Sequence, residues 1–347
     1  MNMKYVQLGE VCLKESSDIA KKDIEVVSGN YPIYGANGYI KNVDFYKQED
    51  EYIAIVKDGA GVGRTMILPA KSSVIGTLQY IIPNKNIVNI RYLYYAIVNM
   101  NLGKYFTGAT IPHIYFKDYK KEQFKLPSLA TQERIANTLI KLDSIVFERK
   151  KQIDLIDKLV KSRFIEMFGV YPSNTMGWKV VTIRDVVSDV RYGSSRPAID
   201  GGKYPYLRMN NITYGGELDL SDIKHIDVPD NELDKCTVRR GDVLFNRTNS
   251  KELVGKTCVY DQDEMMVLAG FVIRIRVNDS ILPEFLSAFL NMDFSKQMLF
   301  GMCKTAIGQA NINSQELQNI RLYLPPVDLQ HRYVQFKKQT DKSKFVN

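Results

Sequence analysis

The side chains with chemistry to offer lie in short polar stretches flanked by glycine. "YPIYGANGYI" (31–40) carries Tyr34 and Asn37, "VKDGAGVGRT" (56–65) carries Lys57 and Arg64, and "FTGATIPHI" (106–114) carries Thr110 and His113. Further along, "VRYGSSRP" (190–197), "YLRMNNI" (206–212), "FNRTNSKELVGKT" (245–257) and "AIGQANI" (306–312) bring Arg191, Ser194, Arg208, Asn210, Asn246, Arg247, Asn249, Lys256 and Gln309. Arg can bind guanine through two hydrogen bonds, and Asn or Gln can do the same for adenine. Lys, Ser and Thr suit phosphate oxygens, and Gly lets a backbone approach closely. The chemistry offered is recognition by hydrogen bonding, with Arg and Asn as base readers and Lys and Ser as phosphate contacts.

Motifs for covalent chemistry fail by one residue each. "GAGVGR" (59–64) has Arg64 where a dinucleotide fingerprint needs glycine, and the apolar run "MILP" follows where a helix should. "GKT" (255–257) ends like a phosphate loop, yet Ser250 occupies the required earlier glycine position. "PDNELDK" (229–235) hints at a nuclease carboxylate cluster but has Leu233 at the expected acidic position. His113, His225 and His331 make no metal-ligand spacing with the four scattered cysteines. No methyltransferase-type Asn-Pro-Pro-Tyr or Asp-Pro-Pro-Tyr occurs. The chain reads as non-catalytic and free of metal and cofactor; a nuclease or nucleotidase with an unrecognised site is the rival.

These loops must be held by a repeated framework. "LPSLATQERIANTL" (126–139) returns as "LPPVDLQHRYVQF" (324–336), with Leu, Pro, Gln and Arg each repeated 198 positions later. "YVQLGEV" (5–11) resembles "VVTIRDV" (180–186), "GRT" (63–65) resembles "GKT" (255–257), and "YLYYAIVNMN" (92–101) resembles "EFLSAFLNMD" (284–293). Two related modules follow, the second longer by roughly 20 residues between Gly202 and Leu244. Runs such as "EYIAIV", "QYIIP", "GDVLF" and "GFVIRIRV" predict strands without regular helix alternation, hence an α+β fold. Between the modules, apolar positions Ile135, Leu139, Leu142, Val146, Ile153, Ile156 and Val160 predict a helix from about Thr131 to Phe168, packed lengthwise on another helix. Gly169 and Pro172 end it. The second copy starts at Gln330 and soon turns polar.

The 347 residues suggest two domains, and 45% hydrophobic content supports a folded core. The net charge of +8 favours an anionic partner. Cys12, Cys236, Cys258 and Cys303 form no Cys-x-x-Cys pair and read as reduced thiols. With no apolar leader or spanning run, the expectation is a soluble cytoplasmic protein.

Over residues 5–336 the chain resembles the specificity (S) subunits of type I restriction–modification systems. The module starts "VQLGEV" and "VTIRDV", the two L-P-x-x-x-x-Q-x-R module ends, the long helix, "YPIYGANG" and "DVLFNRTNSKELVGK" carry the resemblance. It implies target-recognition domains at 1–127 and 170–325 in a pseudo-twofold repeat, a central spacer helix at 128–169 and a short C-terminal one at 326–347. Each domain would read half of a bipartite, gapped site in double-stranded DNA, with antiparallel helices as the ruler between them. Methyltransferase (M) subunits would dock on the helices and domains, and restriction–translocase (R) subunits would complete the assembly. Subunit contacts are then expected at Gln132, Arg134, the seven apolar seam positions, Gln330 and Arg332. S-adenosylmethionine, ATP and magnesium are expected on partner subunits only. The short second helix keeps open a truncated, inactive or phase-variable cassette.

Overall fold

Tyr52–Val56 ("YIAIV") is a strand buried on both faces, and its alternation divides the core of its module. Ile53 and Ile55 join Ile81, Leu93 and Ile97 on one side, whereas Tyr52, Ala54 and Val56 join Val74, Leu78 and Tyr80 on the other. The computed structural model describes residues 4–108, 110–306 and 309–344, with the backbone alone at 304–306 and 309. Two compact units divide within the long helix, Met1–Arg149 and Lys150–Asn347.

In the first unit an antiparallel sheet runs Cys12–Ser16, Leu78–Pro83, Tyr52–Val56, Thr65–Leu68. A second sheet joins the hairpin Tyr31–Gly35 and Gly38–Val43 to the short parallel strand Ser73–Val74. Lys4–Gln7 pairs with Gln123–Leu126, just before the long helix begins. Helix Ile90–Met100 is capped by Asn89, whose side chain accepts from the N–H groups of Arg91 and Tyr92.

The second unit repeats this order: Val187–Tyr192, Val272–Val277, Val243–Asn246, Thr257–Val259. A second sheet again contains one parallel pair, Tyr204–Leu207 with Met266–Leu268, and a third joins Thr248–Asn249, Gln309–Asn311 and Lys304–Ala306. Lys179–Thr182 pairs with Arg321–Leu324 as the counterpart of the first unit's outer pair. The predicted extra length is where the first unit has only the Ala36–Asn37 turn: here 208–223 separates the strands, and helix Asp230–Cys236 follows.

The long helix spans Leu129–Phe168, 40 residues, and the C-terminal helix Val327–Ser343, 17 residues. Within the second unit they run antiparallel: the Phe168 ring meets Tyr333 at 5.7 Å, and Lys344 binds Asp157 at 2.6 Å. Phe164 lies 5.2 Å from Tyr333 and stacks on Phe285 at 5.4 Å. The predicted seam is corrected here. Val160 is buried, but Leu142 and Val146 are half exposed, at 51% and 52%. The covered stripe is Val160, Phe164 and Phe168, an i, i+4 row that the heptad reading did not follow to the end.

Both repeated glutamines lie inside the fold. Gln132 Oε1 accepts from Asn89 N at 2.8 Å, and its Nε2 donates to Ile87 O and Pro127 O at 3.1 and 2.8 Å. Gln330 accepts from Leu282 N at 2.8 Å and donates to Ser280 O and Pro325 O at 3.2 and 2.9 Å. Each ties a helix start to the approach of an earlier helix, Ile90–Met100 in the first case and Pro283–Asn291 in the second. Gln132, Gln330 and Val160 are therefore packed within their own units; Arg134 and Arg332 are exposed, and Ile135, Leu139, Ile153 and Ile156 partly so.

Candidate nucleic-acid interface

Three first-unit loops that the sequence singled out meet on one face. Arg64 Nη1 donates to Ala36 O at 2.9 Å, tying "GAGVGR" to the hairpin turn that carries Asn37. Gly59 N donates to Pro112 O at 2.9 Å, and the His113 Nδ1 and Asp58 Oδ1 atoms lie 2.7 Å apart. Lys57 Nζ is 3.3 Å from the other Asp58 oxygen. Asn37, Arg64 and Thr110 are exposed. Tyr34 is partly buried against the Tyr52–Tyr80 core, and burial with the neighbouring Tyr39 raises its hydroxyl above the ordinary tyrosine value.

In the second unit the Arg247 guanidinium lies 4.8 Å from the Tyr192 ring centroid and donates to Gly270 O at 3.3 Å. Asn249 is half-buried, its Oδ1 accepting from Ser250 N at 2.9 Å, while Asn210 is exposed. Arg191 pairs with Asp189 at 2.8 Å, and Arg208 with Asp222 at 2.8 Å. Ser194, Asn246 and Lys256 are buried and shape the loops from inside. Ser194 Oγ accepts from Arg196 N, Asn246 Oδ1 from Thr248 N, and Lys256 Nζ donates to Met209 O at 2.8 Å. Burial lowers the Lys256 ammonium below the ordinary lysine value. Lys296, which no sequence motif marked, donates to Gly255 O at 2.7 Å; burial beside Lys161 and Lys256 brings it to about 8. The side chain of Gln309 lies outside the described residues.

The glycine loops share one construction. Val56 N donates to Arg64 O and Gly63 N to Val56 O, both at 2.9 Å; Asn246 N donates to Lys256 O and Gly255 N to Asn246 O, both at 2.8 Å. Gly63 and Gly255 have φ of +85° and +81°, the region glycine enters without penalty. Strands follow both, Thr65–Leu68 and Thr257–Val259, where a phosphate loop would need a helix. The carboxylates of "PDNELDK" lie on or beside helix Asp230–Cys236, with Glu232 bound to Arg196 at 2.7 Å. Among the described residues no three His, Cys, Asp or Glu side chains gather to hold a metal ion, and no helix is long and apolar enough to cross a membrane.

Sequence reasoning missed Asp58 and Asn311, which flank these loops. A signal existed, since "PHI" (112–114) and "ANI" (310–312) stand 198 positions apart, the same offset as the helix starts.

A family model described as type I restriction modification DNA specificity domain matches residues 1–156 and 176–345. The EcoKI specificity subunit of Escherichia coli strain K12 is 26% identical over 243 residues, covering 65% of this chain and 52% of that protein. The MjaVIII specificity subunit of Methanocaldococcus jannaschii is 25% identical over 330 residues, 87% of this chain and 75% of its own length. This chain thus spans about half the length of the E. coli relative. The crystal structure of a type I restriction–modification S subunit from M. genitalium superposes with a TM-score of 0.61 at 14% identity, over 99% of this chain and 91% of that one.

Proposed function

The chain belongs to the type I restriction–modification DNA specificity family, and on that premise we propose that it is the DNA-reading subunit of a restriction–modification complex. Each unit reads one half of a bipartite site in double-stranded DNA. One observation carries this reading: a single loop framework is built twice, with different polar side chains mounted on it. A duplicated scaffold with unlike side chains suits a target whose halves differ in sequence, and base contacts are what distinguish sequences. Methyl transfer and cleavage then belong to methyltransferase and restriction subunits, which hold S-adenosylmethionine, ATP and magnesium. Footprinting with the methyltransferase subunit tests the proposal. Two protected stretches with an accessible gap are expected; one continuous stretch, or no protection with a competent partner, overturns it.

A further inference from the structure

Matching backbone hydrogen bonds align the two reading surfaces residue by residue. Lys57 N donates to Thr77 O at 2.9 Å, and Arg247 N to Phe271 O at 3.0 Å. Ile114 N donates to Lys57 O, and Ile312 N to Arg247 O, each at 2.9 Å. Lys57 thus corresponds to Arg247, and the next residues, Asp58 and Thr248, correspond as well. Asp58 is bridged to His113, and Thr248 is paired with Asn311, so His113 and Asn311 occupy one place in the two units.

Resting on the DNA-reading function above, we propose that the cross-strand pairs Asp58–His113 and Thr248–Asn311 are interchangeable specificity determinants, one for each half-site. The backbone beneath them is common and their chemistry is not. Asp58 offers carboxylate oxygens, which accept from the cytosine amine; His113 donates its Nδ1–H to Asp58, so Nε2 of the neutral ring is a further acceptor for the same amine. This pair suits a G·C base pair. Asn311 can bind adenine through two hydrogen bonds, and the Thr248 methyl suits the methyl of thymine, so the second pair suits A·T. The second corner is also unsatisfied. Thr248 Oγ1, Asn311 Oδ1 and Arg247 Nε are all buried without a hydrogen-bond partner among the described residues. Buried polar atoms are ordinarily paired, and three orphans at adjoining positions mark a place for a polar ligand.

The test transplants one pair onto the other scaffold. Full-length chain carrying Asp58→Thr and His113→Asn is assembled with the methyltransferase subunit, and bound DNA is selected from libraries randomised in either half-site. One position of the first half-site should change from G·C to A·T, with roughly 10-fold weaker binding to the original site, while the second half-site stays as in wild type. The near-isosteric Asp58→Asn covers failure of the double variant to fold; it should relax discrimination at that same position. Wild-type preference retained by a folded variant, or preferences altered equally in both halves, overturns the assignment. If wild-type protein itself selects no bipartite site, the DNA-reading function falls first, and that result is distinct from a silent transplant.

Discussion

Gln132 and Gln330 show how much one buried amide can organise. Replacing either with Leu keeps the bulk but strands one N–H and two carbonyls in the interior. Each variant should lose ~2–4 kcal/mol in urea denaturation, since an unpaired buried group costs about 1–3 kcal/mol. Equal midpoints for Gln132→Leu and wild type would show that the amide is dispensable. Two partly buried carboxylates contribute to the acid sensitivity of the second unit. Burial pushes Asp189 upward, but Arg191 and Arg274 outweigh it and hold its carboxyl below the usual range. Burial likewise opposes, and Lys337 and Lys344 likewise lower, Asp341. The folded form therefore binds fewer protons than the unfolded chain. The stability these residues contribute is present above about pH 4 and is lost as pH falls through their lowered folded values. Asp189→Asn should lower stability at pH 7 and flatten its decline below pH 4; a decline as steep as wild type would place the acid-sensitive group elsewhere.

At the scale of elements, the equivalent glycines predict unequal costs. A Cβ on Gly63 would come within 2.6 Å of the Gly103 backbone nitrogen, whereas on Gly255 it would meet the Leu299 side-chain tip at 2.6 Å. Both substitutions incur the positive-φ penalty of about 1 kcal/mol or more, but only a side-chain tip can yield. Gly63→Ala should destabilise its unit more than Gly255→Ala does its own, as thermal unfolding can establish; the reverse order would show that the first loop shifts freely. Tyr333→Ala should cost ~3–5 kcal/mol, because its ring closes the Phe164–Phe168–Phe285 cluster joining the two helices. The strands, the repeat and the long helix were legible because period-two runs, recurring motifs and an apolar pattern running from Ile135 to Val160 are local signals. Which helix face is covered was not, because apolar spacing names a stripe but not its partner; Leu142 and Val160 shared one pattern and differ in burial. The sequence marked the glycine-flanked loops, yet Ser194 and Lys256 turned inward while Asp58 went unmarked. Side-chain type does not say whether a polar group meets solvent or a backbone carbonyl, as Lys256 meets Met209 O.

Over the whole molecule, the count of 47 Lys and Arg side chains overstates what is available to DNA. Arg196, Arg208, Arg240 and Lys85 are each paired with a carboxylate within 2.8 Å, so their fields are partly cancelled at the surface. Binding should still weaken with salt on every sequence, because cations that meet phosphates release counterions. If on the order of five phosphates are neutralised, log affinity should fall against log salt with a slope of about −4 to −5. The ratio of cognate to unrelated DNA should vary much less, since base contacts carry that difference. Lys57→Gln and Arg247→Ala separate the two contributions. The first should reduce the slope by about 1 on all sequences, as a lost phosphate contact does, and the second should cost ~1–3 kcal/mol at one half-site only. Fluorescence anisotropy with the methyltransferase complex across a salt series reads both quantities. An Arg247→Ala effect equal on all sequences would reassign that side chain to the phosphate backbone, and a flat salt response would remove electrostatics from the recognition altogether.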